Sequence, residues 1–351
     1  MHHLHPLLTC DSLWSGDFPA GKGISPAISK YGGKMCRLTP DNGASLLNHE
    51  NTWWILTIQP ARKDVRDPVV GQIVTPLAAH ARVLGAERWS YKLSQSPETS
   101  SVQVRILAPP AVLECLLSLT RALVNQAVAQ LGSLDISEQR FCPGPTCWGG
   151  ESVMPNFESA LAKFGGLEGL NLAAEVGELS SDLAAWALSC FPNAQSRSPL
   201  AALLLFDTAH AMMRGPRSSI WADRRSVSWD YYWDSHLRGC TGSVGPQAAK
   251  LREDLTARLA PRIMPAHRLM AVTASEPAVE NWRRRWSRAI DGYLYRADKE
   301  RVSRSAQHLT VYQGSQLLNR LGFDVLEEAA LGLYARSWSK DREATLRGLR
   351  P

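Results

Sequence analysis

Residues 89–106 read WSYKLSQSPETSSVQVRI, and this stretch decides the fold class. Before the polar turn SQSPETS (94–100), apolar residues alternate with Ser90 and Lys92, and after it they alternate with Gln103 and Arg105. A period of two on both arms predicts an antiparallel pair of strands with one face buried. The other face is expected to contact solvent or a binding site.

Outward from this hairpin, the chain predicts one more strand and many helices. The strand is WWILTI at 53–58, and residues 226–239 fit neither pattern clearly. Ser198 is expected to cap a helix that begins with Pro199. Strands early and helices late predict an α+β fold, in which a small antiparallel sheet packs against a mainly helical C-terminal half. The helices are expected at residues 68–84, 111–131, 157–164, 170–190, 198–214, 245–259, 276–298, 311–321 and 325–338.

We further expect an irregular arm at residues 1–47 and a single catalytic domain at residues 48–345. The net charge of +6 over 351 residues is too mild for a nucleic-acid binder. No run of eighteen uncharged apolar residues is present, so no membrane span is predicted. The first residues lack the basic start of a signal peptide, so a cytoplasmic protein is expected.

Conventional catalytic and metal-binding motifs are missing. The sequence contains no G-x-S-x-G, no H-E-x-x-H, no D-x-D cluster and no G-x-G-x-x-G after a strand. This excludes an easy assignment to hydrolases, kinases or nicotinamide enzymes, and no cofactor is predicted. Seven cysteines, an odd number, indicate a reduced compartment. Cys142 and Cys147 lack a second ligand pair at zinc-site spacing, so no metal site is predicted.

Tryptophan is abundant, with twelve residues, and several lie on one helix face. Trp282, Trp286 and Tyr293 share a stripe, with Ser287 on its flank. Core packing is the more common reason for such a stripe. The functional alternative is an aromatic wall for heteroaromatic rings, to which Tyr293 and Ser287 add hydroxyl groups. The same two interpretations apply to Tyr232 and Trp233.

A basic run extends from Arg283 to Arg304. It is either a solvated helix face or a dock for an acidic peptide, and in the second case Arg283 and Arg284 are substrate-binding residues. Downstream, residues 303–322 bring several donors and acceptors together just before and within a helix. These candidates are Gln307, His308, Tyr312, Ser315, Asn319 and Arg320.

Two segments carry a resemblance to a known family. LLNRLG (317–322), followed by EEAALGLYARSW (327–338), resembles the end of the lantibiotic dehydratase elimination domain. WWILTIQ (53–59) and the strands around Trp89 and Arg105 resemble its start. The resemblance implies an elimination-domain-like fold, in which Arg105 matches a crucial strand arginine and Asn319-Arg320 match a terminal pair. The family's eliminating histidine falls at Ser315.

A serine is a poor substitute for the imidazole that expels glutamate. The resemblance therefore points to the thiopeptide pyridine synthases, which join two dehydroalanines of a leader-bearing peptide by a formal aza-cycloaddition. It implies no cofactor. Arg105 would polarise an amide oxygen, while Tyr293, Ser287, Gln307, Tyr312 or His308 would move protons. The peptide substrate is the expected partner, and a homodimer is also considered.

The leader is expected to bind basic residues or to add to the edge of the strand at 53–58. Two alternatives remain open at this point. One is a lyase that eliminates glutamate from a glutamylated peptide, and the other is a non-catalytic escort for the leader peptide.

Overall fold

A computed structural model describes residues 51–94, 100–141, 157–220 and 222–348 of the chain. The predicted arm at residues 1–47 and the pair Cys142 and Cys147 lie outside these residues. Contacts group His49–Pro351 into one compact unit. The limits 48 and 345 of the catalytic domain stay a prediction.

The strands are β1 (Thr52–Pro60), β2 (Arg88–Leu93), β3 (Val102–Ala108) and β4 (Leu134–Phe141). They form an antiparallel sheet in the order β2-β3-β1-β4, and the predicted hairpin is its β2–β3 pair. Lys92 lies opposite Gln103, and Ser90 lies opposite Arg105. Strand β4 was not predicted, because it carries an exposed polar run at an edge of the sheet instead of a clear alternation.

The expectation that β1 offers an open edge is wrong. β1 pairs with β3 on one side and with β4 on the other, so its backbone groups are already used. Among the strands in the described ranges, none pairs with the outer side of β4. Strand addition by a peptide would therefore have to use β4 and not β1.

Helices make up most of the remainder, which confirms the α+β class. The helices that follow β3 make up most of the C-terminal part of the chain, as predicted. The helices are α1 (Arg66–Val69), α2 (Thr75–Val83), α3 (Pro110–Leu131), α4 (Phe157–Phe164), α5 (Leu167–Cys190), α6 (Ala194–Arg214), α7 (Ala222–Ser226), α8 (Trp229–Thr241), α9 (Ala248–Leu259), α10 (Ile263–Ala274), α11 (Pro277–Lys299), α12 (Ala306–Arg320), α13 (Val325–Arg336) and α14 (Lys340–Gly348).

Two helix predictions need correction. α6 begins a turn earlier than expected, because Asn193 caps it and forms a reciprocal pair of hydrogen bonds with Ser196. Pro199 therefore lies inside the helix and not at its first position. α10 and α14 were not predicted. Pro265 discourages a helix in general, but in α10 it stands in the first turn, where no backbone donor is required.

The core surrounds α6, which packs against α10, α11, α12 and α13. Residues 200–206 of this helix are buried on all sides, as expected for a helix that is apolar all round. By length and composition α3 could cross a membrane, which for a single helix is weak evidence. Its residues Leu113, Leu116 and Val124 belong to the main core cluster.

Candidate active site

The face of the β2–β3 hairpin opposite its buried apolar residues is polar. Ser90, Lys92, Gln103 and Arg105 occupy the positions that alternate with the buried residues of the two strands. The Nε and Nη2 atoms of Arg105 donate to Oε1 of Gln103 at 3.2 and 3.1 Å. The hydrogen bonds tie the guanidinium to its own strand while leaving it partly accessible.

This face is strongly positive. Burial lowers the pKa of Lys92 to about 8, and the charges of Arg105, Lys163 and Arg320 add to the shift. Burial also lowers the pKa of Arg105. Within the described ranges, none of these four cations forms an ion pair with an Asp or Glu. The face therefore suits a ligand that brings oxygen acceptors or negative charge.

An aromatic cluster joins α12 to α4 near these cations. The ring of Tyr312 stacks on His308 with centroids 5.8 Å apart, and it meets Phe164 edge-on at 5.4 Å. Nζ of Lys163 lies 5.5 Å from the Tyr312 centroid. Nε2 of His308 is 3.0 Å from the carbonyl oxygen of Lys163. Gln307, half-buried, lies beside this cluster in the chain.

Ser315 occupies the next part of α12. Its Oγ donates to Oε1 of Glu328 at 2.5 Å, and Nε2 of His236 lies 3.1 Å from the same oxygen. The hydroxyl proton is thus engaged with a carboxylate, and no imidazole occupies position 315. The cluster of Ser315, Glu328 and His236 was not predicted from the sequence.

The Asn319-Arg320 pair closes the free edge of β2. Asn319 accepts from the N–H of Leu93 at 2.9 Å and donates to its carbonyl at 3.0 Å. Nε of Arg320 donates to the carbonyl of Tyr91 at 2.7 Å, and Ser181 accepts from the N–H of Tyr91 at 3.1 Å. Burial lowers the pKa of Arg320 to about 10. The contacts of Arg320 are therefore structural, and a role in substrate binding would be indirect.

The tryptophan stripe of α11 is core packing. Trp286 is fully buried, and its Nε1 donates to Oγ1 of Thr208 at 2.7 Å. Trp282 is buried against Trp186, with ring centroids 5.8 Å apart. The functional alternative of an open aromatic wall is therefore wrong for Trp282 and Trp286.

Tyr293 differs from the two tryptophans because it borders a groove. Burial raises the pKa of its hydroxyl to about 12. Ser287 is half-buried on the same helix. Their participation in catalysis stays a prediction. The groove holds about 300 Å³ and is lined by Leu172, Glu175, Val176, Leu179, Ala289, Gly292, Tyr293 and Arg296.

The second proposed wall is also core. Tyr232 and Trp233 are buried, and their rings meet edge-on at 5.2 Å. Trp233 further packs against Trp229 and His236. A substrate ring has no open face on this pair, so the assignment of Tyr232 and Trp233 to substrate binding is wrong.

The basic run of α11 is divided between the interior and the surface. Arg283 is buried between Asp207 and Glu343, and its bonds to these carboxylates measure 2.6 to 3.1 Å. It cannot meet an acidic leader, so its assignment to substrate binding is wrong. Arg284 is exposed and pairs with Glu280 one turn away, so its role in binding stays a prediction.

Sequence reasoning missed Lys92, Lys163 and Glu328. Lys92 could have been found, because it stands at a polar position of the same hairpin face as Arg105. Lys163 and Glu328 carry no local signal, since only the packing of α4 and α13 against α12 brings them to the site. The fold also brings His236, Cys240 and Glu328 within reach of a common metal ion.

Comparisons with known proteins agree with the fold described above. The family model for the C-terminal region of lantibiotic biosynthesis dehydratases matches residues 53–337. Among solved structures, TsrL superposes with a TM-score of 0.56 at 16% identity, over 86% of this chain and 99% of that one. The pyridine synthase TbtD from thiomuracin biosynthesis superposes with a TM-score of 0.54 at 16% identity, over 85% of this chain and 99% of that one.

Among curated proteins none matches the sequence. At 16% identity the two solved structures show a shared fold. The family model, in contrast, covers most of the chain and includes both segments on which the resemblance was based. The chain therefore belongs to the family of lantibiotic biosynthesis dehydratase C-terminal domains.

Proposed function

We propose that this protein closes the central pyridine ring of a thiopeptide. The substrate would be a leader-bearing, thiazole-containing peptide with two dehydroalanines. One dehydroalanine reacts as the imidic-acid tautomer of its amide, and the other supplies two carbons. Two carbon–carbon bonds form, and loss of water and of the leader as a carboxamide makes the ring aromatic. The reaction would take place in the cytoplasm.

The observation that carries this proposal is the identity of residue 315. A domain that expels glutamate needs a proton-transfer group with a pKa near neutrality. At the position where the resemblance places the eliminating histidine, Ser315 offers a hydroxyl that already donates to Glu328 at 2.5 Å. The imidazole that contacts the same carboxylate, His236, is buried and does not face a substrate. The shared fold with a pyridine synthase then favours ring closure over glutamate elimination.

The cationic hairpin face suits the first step. Forming the imidic-acid tautomer moves a proton from the amide nitrogen to its oxygen, so donors at that oxygen favour it. Arg105 and Lys92 lie on adjacent strands without a neutralising carboxylate in the described ranges. Lys92, with a pKa of about 8, would hold a proton that it can donate near neutral pH.

The hydroxyl groups of α12 suit the second step. Loss of water requires a donor at the hemiaminal oxygen, and Tyr312 and Ser315 lie on one side of this helix. His308, stacked on Tyr312, would be the acid–base partner. Bringing the two alkenes together supplies most of the acceleration in this scheme, up to roughly 7–11 kcal/mol.

A second function is favoured by one observation. The unneutralised cations would also accept the carboxylate of a glutamylated peptide, as in a glutamate-eliminating lyase. The deciding experiment incubates the protein separately with a leader-bearing bis-dehydroalanine peptide and with a glutamylated peptide, followed by mass spectrometry.

Ring closure predicts loss of water and release of the leader carboxamide from the first peptide only. Loss of glutamate from the second peptide would assign the lyase instead. Binding of the leader without any change in the mass of either peptide would indicate a non-catalytic peptide escort. Arg105→Met should abolish the reaction, whereas Arg121→Met, a change of the same type at an exposed position of α3, should not.

A further inference from the structure

Three buried side chains of different chemistry meet where α8 packs against α13. His236 and Cys240 stand one turn apart on α8, and Glu328 lies on α13. Nε2 of His236 is 3.1 Å from Oε1 of Glu328 and 3.8 Å from Sγ of Cys240. One ligand atom from each of the three side chains lies within 4.8 Å of the other two.

Among the residues that the structure describes, no Lys or Arg forms an ion pair with the carboxylate of this cluster. Within the described ranges, the ion pair that Glu328 makes is with His236, whose charge depends on protonation. Ser315 also donates to it, but a hydroxyl adds no charge. Such a buried, electron-rich set is stabilised by a cation placed among its donors.

The imidazole is held in the orientation that a metal would require. A Cβ atom built on Gly332 of α13 would stand 2.7 Å from both Cε1 and Nδ1 of His236. The ring therefore lies directly against the glycine backbone, while Nε2 faces Glu328. No side chain other than hydrogen fits at position 332 without moving the ring.

The donor set and its spacing match zinc. Zinc binds histidine nitrogen, cysteine sulfur and carboxylate oxygen at about 2.0–2.3 Å, which in a tetrahedron separates neighbouring ligand atoms by about 3.4–3.6 Å. The observed 3.1 Å and 3.8 Å lie on either side of that separation. Two ligands four residues apart on one helix are a common arrangement for this metal.

We propose that His236, Cys240 and Glu328 form a zinc site that fastens α8 to α13. Binding would convert the Cys240 thiol to a thiolate and release its proton to solvent. The metal would replace the contact between Nε2 and Oε1 with two bonds to itself. Its fourth ligand would be a water molecule or the neighbouring Ser315 hydroxyl. The site adjoins Ser315, which the proposed function also uses, but the metal-binding test below reads the thiolate band and unfolding, so its outcome does not depend on ring closure.

The test uses the full chain, stripped with a chelator and then titrated with Co²⁺ and Zn²⁺. We expect one equivalent of Co²⁺ to give a near-ultraviolet thiolate-to-cobalt band. Cys240→Ser should lose this band and bind Zn²⁺ at least tenfold more weakly. Cys190→Ser, at the half-buried end of α5, is the matched control and should keep both.

Metal binding should also raise the unfolding midpoint of the wild type but not that of Glu328→Gln. This second variant keeps the test decisive if Cys240→Ser fails to fold. A wild-type protein without the thiolate band overturns the proposal, even if it retains zinc. An unchanged band in Cys240→Ser overturns it as well, because the sulfur ligand would then lie elsewhere.

Discussion

The side chain of Asn319 should stabilise the fold by closing the free edge of β2. Asn319→Ala removes two hydrogen bonds, of 2.9 and 3.0 Å, to the N–H and the carbonyl of Leu93. Each buried polar group left without a partner costs about 1–3 kcal/mol. Because Asn319 is only half-buried, water will reach part of the gap. The expected loss in the free energy of unfolding is roughly 2–4 kcal/mol.

Urea unfolding followed by circular dichroism measures this difference. The slope of the free energy against urea should stay constant, because the surface exposed on unfolding is unchanged. Asn281→Ala on α11 is the matched control, since Asn281 is exposed. A loss for Asn319→Ala of no more than about 0.5 kcal/mol, the range of ordinary surface changes, would refute the edge-closing role.

Three further predictions concern single side chains. Lys92→Met should lower turnover about 100-fold. Wild-type turnover should fall as the pH rises through about 8, the pKa at which the Lys92 ammonium loses its proton. The turnover of the variant should not change over this pH range. Trp286→Phe should lose the bond to Thr208 and about 1–3 kcal/mol of stability in urea unfolding, with the product unchanged in mass. Arg283→Met should lose about 3 kcal/mol in the same assay, the low end for a broken buried ion pair, because Lys340 and Arg347 still contact the two carboxylates. Arg284→Met should be neutral for stability, because its pair with Glu280 is exposed.

The fold class could be predicted because its signals are local. The alternation of polar and apolar residues around Ser90 and Arg105 predicts a hairpin without information from the rest of the chain. The apolar residues at three- and four-residue spacing in α5, α6 and α11 likewise predict helices from local sequence alone. β4 was missed because an edge strand needs only one buried residue at its end, Phe141, and its pattern therefore carries little information.

The site was harder to predict because burial is decided by packing between distant segments. The stripe of Trp282 and Trp286 has the same period whether it lines a cleft or a core. Arg283 is one of three consecutive arginines, and only the position of Asp207 on α6 makes it an interior residue. For the stripe the more common interpretation, core packing, was correct. For Arg283 neither interpretation was correct, because a solvated helix face and a peptide dock both need an exposed side chain and Arg283 is buried.

The buried Arg283 and the cations of the β2–β3 face have different partners, and the contrast supports the location of the site. Arg283 receives two carboxylates, so its charge is neutralised within the fold. Among the described residues, Arg105 binds the amide oxygen of Gln103 and no carboxylate, and burial together with the neighbouring cations lowers the pKa of Lys92. Holding like charges together without a counterion destabilises the folded state. The cost is offset when a bound substrate supplies the missing acceptor, and we therefore expect the reacting amide oxygen at the β2–β3 face.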